Sequence, residues 1–68
     1  MPHVQSSVLS AVHFDPERQI LEVKFQSGRL YHYFDVPRDV YEALLAAPSL
    51  GSYFNKVIRP RFRCELVG

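Results

Sequence analysis

Cysteine is almost absent from this chain of 68 residues, and long apolar runs are missing altogether. A disulfide needs two thiols, so the single Cys64 excludes an internal bridge and leaves no cysteine cluster for zinc. The N-terminal residues lack the basic and apolar regions of a secretory signal, and no segment approaches the roughly 20 apolar residues that cross a bilayer. We therefore expect a soluble, cytoplasmic protein with no membrane association.

The small size of the chain limits what its core can do. Folding hides only about 60 % of the surface that an unfolded chain of this length exposes, and such a core rarely supplies more than about 3–5 kcal/mol of net stability. A large catalytic cleft is hard to accommodate in so few residues. The length therefore predicts a single domain over residues 1–68 that binds a partner as a monomer, without enzymatic activity and without a cofactor.

Charged residues are distributed unevenly, although the net charge is only +1. Up to Asn55 the chain carries four basic and six acidic residues, whereas the remainder carries four basic residues and one acidic residue. The cations of this basic end are Lys56, Arg59, Arg61 and Arg63. The basic end is the electrostatic feature that points to an anionic partner.

Alternating apolar residues predict three antiparallel strands, over residues 8–14, 19–25 and 29–34. In the first strand, the alternation places Leu9 on the opposite face from Val12 and Phe14. The inward residues of the second strand are Leu21, Val23 and Phe25. Asp15 opens the first turn, where its side chain can bond the backbone beyond it, and Gly28 supplies the positive φ of the second turn.

Two short helices are predicted to follow the strands. Pro37 suits the first position of a helix, where its missing N–H costs nothing. The apolar stripe expected to face the sheet consists of Val40, Tyr41, Leu44, Leu45 and Ala47. Pro48 ends this helix, and Ser49 is the expected N-cap of a second helix over residues 50–58, with Tyr53 or Phe54 and Val57 or Ile58 inward.

The alternation of Phe62, Cys64 and Leu66 with charged residues is consistent with a short fourth strand after Pro60. The predicted fold is therefore α+β. It consists of a three-stranded antiparallel β-meander, two short helices packed on one face and this short C-terminal strand.

Several short motifs occur in a fixed order along the chain. Tyr31 and Tyr33 flank His32, Val36-Pro37 opens the first helix, Ser49 to Asn55 reads Ser-x-Gly-x-Tyr-Phe-Asn, and Ile58-Arg59 follows. Over residues 6–62 this order resembles the KTSC domain, a small bacterial domain named for its occurrence at the end of some lysyl-tRNA synthetases. The biochemical role of that family is unknown, and the resemblance suggests RNA binding.

Tyr31 and Tyr33 point to one face of the third strand, while Leu30, His32 and Phe34 point to the other. Outward tyrosines would form a stacking platform for single-stranded nucleic acid. Inward tyrosines would be core residues whose hydroxyls reach the rim, and we favour this orientation because so small a domain has few other bulky residues to fill its core.

The basic end also has two interpretations. Lys56, Arg59, Arg61 and Arg63 together span several phosphates if they share a surface. Alternatively, they form a solvated end of the chain whose charges favour a helix C-terminus. Arg59 is the cation that we consider the strongest candidate, although its guanidinium could instead pair with Asp35 or Asp39 to tie the helices together.

The segment from Ser49 to Asn55 is a candidate phosphate site, because a helix N-terminus presents free N–H groups. A capped helix start with no ligand is the more common use of such residues. The Asn55 amide could bond a base edge or fasten a loop. His3, His13 and His32 fall in separate elements, so we predict no metal site, and Cys64 lacks the partners of a catalytic nucleophile.

The sequence favours a non-enzymatic module that binds RNA or single-stranded nucleic acid. The basic end would contact phosphates, and Tyr31, Tyr33, His32 or Tyr53 would offer a ring to a base. The alternative is a protein-interaction or structural module that docks through its sheet face or an edge strand, with Ile20, Leu30 and Phe34 forming an exposed apolar patch.

Overall fold

A computed structural model describes residues 9–68 of the chain. Four strands form one antiparallel sheet in the order in which they occur along the chain. Two helical segments lie between the third and fourth strands. The elements are β1 (Leu9–Asp15), β2 (Ile20–Phe25), β3 (Leu30–Tyr33), α1 (Arg38–Ala46), α2 (Leu50–Tyr53), a π-helical turn (Phe54–Ile58) and β4 (Cys64–Leu66). The predicted α+β fold, including the short fourth strand, is confirmed.

A bulge in β1 changes the face on which Leu9 lies. Leu9 pairs with Phe25, but the next paired residue, Ala11, already faces Lys24. The extra residue brings Leu9 to the same side of the sheet as Val12, and Leu9 is fully buried. The prediction that Leu9 and Val12 occupy opposite faces is therefore wrong, because regular alternation ends at the bulge. Val8, which the sequence also assigned to this strand, lies outside the described residues.

Both turns of the meander use the predicted residues. The Asp15 carboxylate accepts hydrogen bonds from the backbone N–H groups of Glu17 and Arg18, at 3.1 and 3.3 Å. Gly28 closes the β2–β3 hairpin with φ at +96°, a conformation that side chains disfavour. The backbone N–H of Phe25 donates to the carbonyl of Arg29 across this turn, which fixes the register of β2 and β3.

The third strand directs its tyrosines toward the core. Tyr33 pairs with Leu21 of β2, and Tyr31 pairs with Val23, so both tyrosines share the face of the buried β2 residues. Tyr33 is 2 % exposed, whereas Tyr31 is half-buried. The favoured inward orientation is thus confirmed for Tyr33, and Tyr31 lies at the border of the core.

Helix α1 begins one residue later than predicted. Pro37 has extended backbone angles and caps the helix, so Arg38 is the first helical residue. Leu44 is fully buried, and Val40 and Tyr41 pack against the core. Leu45 is 51 % exposed, so its predicted place on the inward stripe is wrong. Position 45 lies about 100° around the helix from the buried Leu44, on the side that the sheet does not cover.

The second helical segment starts as α-helix and ends as π-helix. The Ser49 hydroxyl accepts a hydrogen bond from the backbone N–H of Ser52, which confirms the predicted N-cap. After Tyr53 the helix widens, and the N–H of Arg59 donates to the carbonyl of Phe54, five residues earlier. Phe54 and Ile58 are the inward residues of this segment, and both are fully buried.

The core lies between the helices and one face of the sheet. Phe54 is its largest fully buried side chain and contacts the rings of Phe25 and Tyr33 edge-on, with centroids 5.7 and 5.3 Å apart. The other core residues are Leu9, Leu21, Val23, Val36, Leu44 and Ile58. Among the described residues, no helix is both long enough and apolar enough to cross a membrane.

Candidate functional site

An open groove with a volume of about 500 Å³ lies where the π-helical turn meets β3 and β4. We call it the arginine groove. Its walls come from the β2–β3 hairpin, β3, the residue after the π-helical turn and β4. The residues that line it are Phe25, Gln26, Ser27, Arg29, Tyr31, Tyr33, Arg59 and Cys64.

Strand pairing explains why these side chains meet. Tyr33 pairs with Cys64 of β4, and Tyr31 pairs with Leu66, so the two strands carry their inward side chains on the same face. The turn of the β2–β3 hairpin places Arg29 immediately before β3, next to this face. Arg59 reaches the same space from the end of the π-helical turn. Residues separated by up to about forty positions in the chain thus line one groove.

Arg59 is held in place by aromatic rings and an amide. Its guanidinium carbon lies 5.6 Å from the centroid of the Phe54 ring and 5.7 Å from that of the Phe25 ring, within the range of cation–π contacts. One guanidinium nitrogen donates a hydrogen bond of 3.0 Å to the Asn55 side-chain oxygen. Because a guanidinium has five N–H donors, this anchoring leaves others for a ligand.

The Tyr33 hydroxyl links the core to the groove. Burial and, to a smaller extent, the neighbouring Cys64 thiol raise the pKa of Tyr33 to about 12, although the Arg59 guanidinium opposes the rise. The hydroxyl therefore keeps its proton at neutral pH and remains a hydrogen-bond donor on the floor of the groove.

The arginine groove carries positive charge without a compensating carboxylate. Its lining includes Arg29 and Arg59 but no aspartate or glutamate. Within residues 9–68, the carboxylates that lie beside a basic side chain are Asp15, next to Arg18, and Glu22, next to His32. The predicted alternative in which Arg59 pairs with Asp35 or Asp39 is therefore wrong, because the guanidinium turns toward the phenylalanine rings instead.

The other cations of the basic end lie outside the groove. Lys56 and Arg61 are exposed, and neither lines the groove. Arg63 places its guanidinium 5.3 Å from the centre of the Phe34 ring. Of the four predicted phosphate contacts, the structure thus brings only Arg59 together with Tyr31 and Tyr33.

The remaining predicted residues have local roles in this structure. Tyr53 is half-buried and packs against the core, and Asn55 anchors Arg59. Ser49 caps a helix. The apolar patch proposed for protein docking is not fully exposed, since Ile20, Leu30 and Phe34 are all half-buried. Leu66 and Val67, at the edge of the sheet, are apolar side chains with a larger exposed fraction.

His32 lies on the face of the sheet opposite the arginine groove. Its partners across the sheet are Glu22 and Glu65, and Glu22 also pairs with His13 of β1. The His32 ring nitrogen lies 3.5 Å from the Glu22 carboxylate. No three histidine, cysteine or acidic side chains in the described part of the chain are placed to hold a metal ion. His3 lies outside that part.

Sequence reasoning missed five lining residues as members of a site, namely Phe25, Gln26, Ser27, Arg29 and Cys64. Arg29 could have been found, because it precedes Tyr31 by two positions and so falls on the tyrosine side of an extended chain. Cys64 could not, since its place depends on the pairing of β4 with β3.

Known proteins share both the sequence and the fold of this chain. The family model of the KTSC domain matches residues 5–62. An uncharacterized protein of Stutzerimonas stutzeri is 55 % identical over 85 % of this chain and 82 % of its own length. A KTSC domain protein of Yersinia pestis has a crystal structure that superposes with a TM-score of 0.90 at 32 % identity, covering 96 % of this chain and 92 % of that protein.

Part of a much larger enzyme is also similar. A lysine–tRNA ligase of a Nostoc species is 43 % identical over 90 % of this chain, which spans 11 % of the length of the ligase. The ligase of Nostoc punctiforme shows the same coverage at 41 % identity. Because the family model and the full-length relatives cover most of the residues, the chain belongs to the KTSC domain family.

Proposed function

We propose that this KTSC domain is a non-enzymatic module that binds single-stranded RNA through the arginine groove. The observation that carries the proposal is the combination of Arg29, Arg59 and the half-buried Tyr31 ring in one groove without a carboxylate. Phosphates need cationic donors, and an unpaired base needs a ring on which to stack. The groove offers cationic donors and an aromatic ring within a volume that suits one small ligand.

The groove differs in this respect from a second concavity on the opposite face of the sheet. That concavity holds His13, Arg18 and His32, but it also contains Asp15 and Glu22. Its arginine and one of its histidines lie beside these acids. The carboxylates of Asp15 and Glu22 would repel an anionic ligand there. In the arginine groove, by contrast, the charged groups among the described lining residues are all guanidinium groups.

The relatives support an RNA partner. The names of the Nostoc enzymes specify tRNA as a substrate, and each contains a region similar to this chain that makes up 11 % of its length. A domain that occurs both in such enzymes and in small proteins is suited to a binding role that both contexts share.

The proposed interface is narrower than the basic end. Arg29, Tyr31 and Arg59 would contact RNA directly, while Asn55 and the rings of Phe25 and Phe54 hold Arg59 in position. Lys56, Arg61 and Arg63 lie outside the groove and would add general attraction to phosphates. His32 and Tyr53 have no direct role in this interface.

The proposal is tested by titrating labelled protein with a single-stranded RNA and a DNA of the same sequence, at low and moderate salt, while NMR follows each backbone amide. We expect salt-dependent shifts concentrated at Arg29, Tyr31 and Cys64.

Replacement of Arg29 with glutamine should weaken binding about tenfold, since a charge-assisted hydrogen bond contributes roughly 1.5–3 kcal/mol. The matched control is Arg38→Gln, an exposed arginine on α1 away from the groove.

Two outcomes would overturn the proposal. Equal weakening by Arg29→Gln and Arg38→Gln would mean that only net charge matters. No amide shift with either nucleic acid would reject nucleic-acid binding and favour a protein partner. In that case the exposed Leu66 and Val67 at the β4 edge become the surface to test, because exposed apolar residues at a strand edge are suited to pairing with another chain.

A further inference from the structure

We infer that the arginine groove selects a single nucleoside that carries a terminal phosphate, either as a free nucleotide or as the phosphorylated end of an RNA. This inference rests on the proposed function and specifies its ligand. It follows from the number of rings that the groove exposes, from its two guanidinium groups and from its size.

Among the described residues that line the groove, one aromatic ring is available for stacking. Phe25 is 9 % exposed and Tyr33 is 2 % exposed, and both rings pack edge-on against Phe54 in the core. Tyr31 retains exposed surface, and its ring meets Phe25 edge-on, with centroids 5.3 Å apart. Proteins that follow a strand stack successive bases on several rings. One free ring therefore favours one base.

Two arginines match the charge of a terminal phosphate. A phosphomonoester carries a charge of about −1.5 to −2 at neutral pH. A phosphodiester within a strand carries only one negative charge. Arg29 and Arg59 line the same groove, and within residues 9–68 neither is paired with a carboxylate and the lining contains no acid. Two guanidinium forks are thus available for one dianionic group.

The orientation of Arg59 reduces the cost of binding. Its contacts with Phe25, Phe54 and Asn55 fix the guanidinium before any ligand arrives. A side chain that is already ordered loses less conformational freedom on binding. Arg29 is exposed and next to Gly28 in the hairpin, so it can adjust to the phosphate from the other side.

The size of the groove agrees with one nucleotide. Its volume of about 500 Å³ falls within the roughly 300–1,000 Å³ of sites that enclose one small molecule. An OB fold that binds a single strand without regard to its ends covers roughly 4–16 nucleotides. A groove of about 500 Å³ is small for a strand of that length.

The inference is tested by measuring the affinity of the full chain for AMP and for an oligoadenylate of about ten nucleotides with a 5′-phosphate, with a 3′-phosphate or with hydroxyl groups at both ends. We expect one phosphorylated end to increase affinity at least tenfold over the hydroxyl-ended RNA. AMP that binds within about tenfold of the phosphorylated RNA identifies the free nucleotide as sufficient. A larger advantage of the phosphorylated RNA identifies an RNA end as the ligand.

A variant separates this preference from general attraction. Arg29→Gln should reduce the advantage of a terminal phosphate to about twofold or less, while Arg38→Gln should leave it unchanged. Because Arg29 is exposed, its replacement is compatible with the native fold, and the NMR spectrum verifies this. Hydroxyl-ended RNA that binds as tightly as phosphorylated RNA would overturn the inference and leave the proposed function intact. If none of the three RNAs binds, the proposed function is rejected. If AMP does not bind either, the further inference is rejected as well.

Discussion

At the scale of single residues, Arg59 connects the stability of the core with the chemistry of the groove. Its guanidinium contacts two core rings, while its exposed part lines the groove. A lysine has no planar group to lie over these rings and no fork to bond Asn55 while keeping donors for a ligand. The residue type at this position is therefore set by both tasks, and a change in charge is not the only consequence of replacing it.

Tyr33 gives a prediction for stability at high pH. An unfolded tyrosine releases its proton near pH 10, but in the folded protein burial raises the pKa of Tyr33 to about 12. Between these values the unfolded state binds fewer protons, so the free energy of unfolding falls as the pH rises. We expect Tyr33 to account for a loss of about 2 kcal/mol between pH 10 and pH 12. Denaturant unfolding at several pH values measures the loss.

The matched variant for this prediction is Tyr33→Phe, which removes the hydroxyl and keeps the ring against Phe54. Its stability should fall less steeply over the same pH range. Absorbance titration should also show that one of the four tyrosines ionises later than the others in the native protein and that this component is missing from the variant. Parallel stability curves of the two proteins would show that another group causes the loss.

At the scale of elements, the start of α2 depends on one side chain. The Ser49 hydroxyl accepts a hydrogen bond of 3.3 Å from the N–H of Ser52, one of the groups that a helix start leaves without a partner. Ser49→Ala should lower the free energy of unfolding by about 1 kcal/mol. The control is Ser52→Ala, since the exposed Ser52 contributes its backbone to this bond and alanine preserves it. Equal effects of the two changes in denaturant unfolding would contradict a capping role for the Ser49 side chain.

The sequence predicted most elements because their signals are local. The alternation of Leu21, Val23 and Phe25 identifies β2, and Ser49 marks a helix start without reference to distant residues. The errors occur where contacts between residues far apart in the sequence determine the local structure. The bulge reverses the face of Leu9, α1 covers too narrow a surface to bury Leu45, and the helix widens after Tyr53. Composition and periodicity do not encode these three features, because each one depends on how the helices and β1 fit the sheet.

At the scale of the whole molecule, the groove was less predictable than the fold. Tyr31 and Arg59 were found as candidates from residue type, but the sequence grouped Arg59 with Lys56, Arg61 and Arg63. The structure groups it instead with Arg29 and Cys64, from the hairpin and the last strand. A site built from three separate segments depends on strand pairing between β3 and β4, which no local pattern specifies.

The stability of the folded protein depends strongly on Phe54. This ring is the largest of the fully buried side chains and contacts Phe25 of β2 and Tyr33 of β3. Truncation of such a residue to alanine costs about 3–5 kcal/mol, as much as the whole net stability of about 3–5 kcal/mol expected for so small a core. Phe54→Ala should therefore unfold most of the protein at room temperature, as circular dichroism and the dispersion of NMR amide signals would report.

Two further variants make the prediction for Phe54 specific. Phe54→Leu fills most of the space and should remain folded with reduced stability. Leu45→Ala removes an apolar side chain that is 51 % exposed, so it should change the free energy of unfolding by less than about 0.5 kcal/mol. A Phe54→Ala protein that stays folded with nearly unchanged stability would mean that the sheet and α1 hold together without this ring.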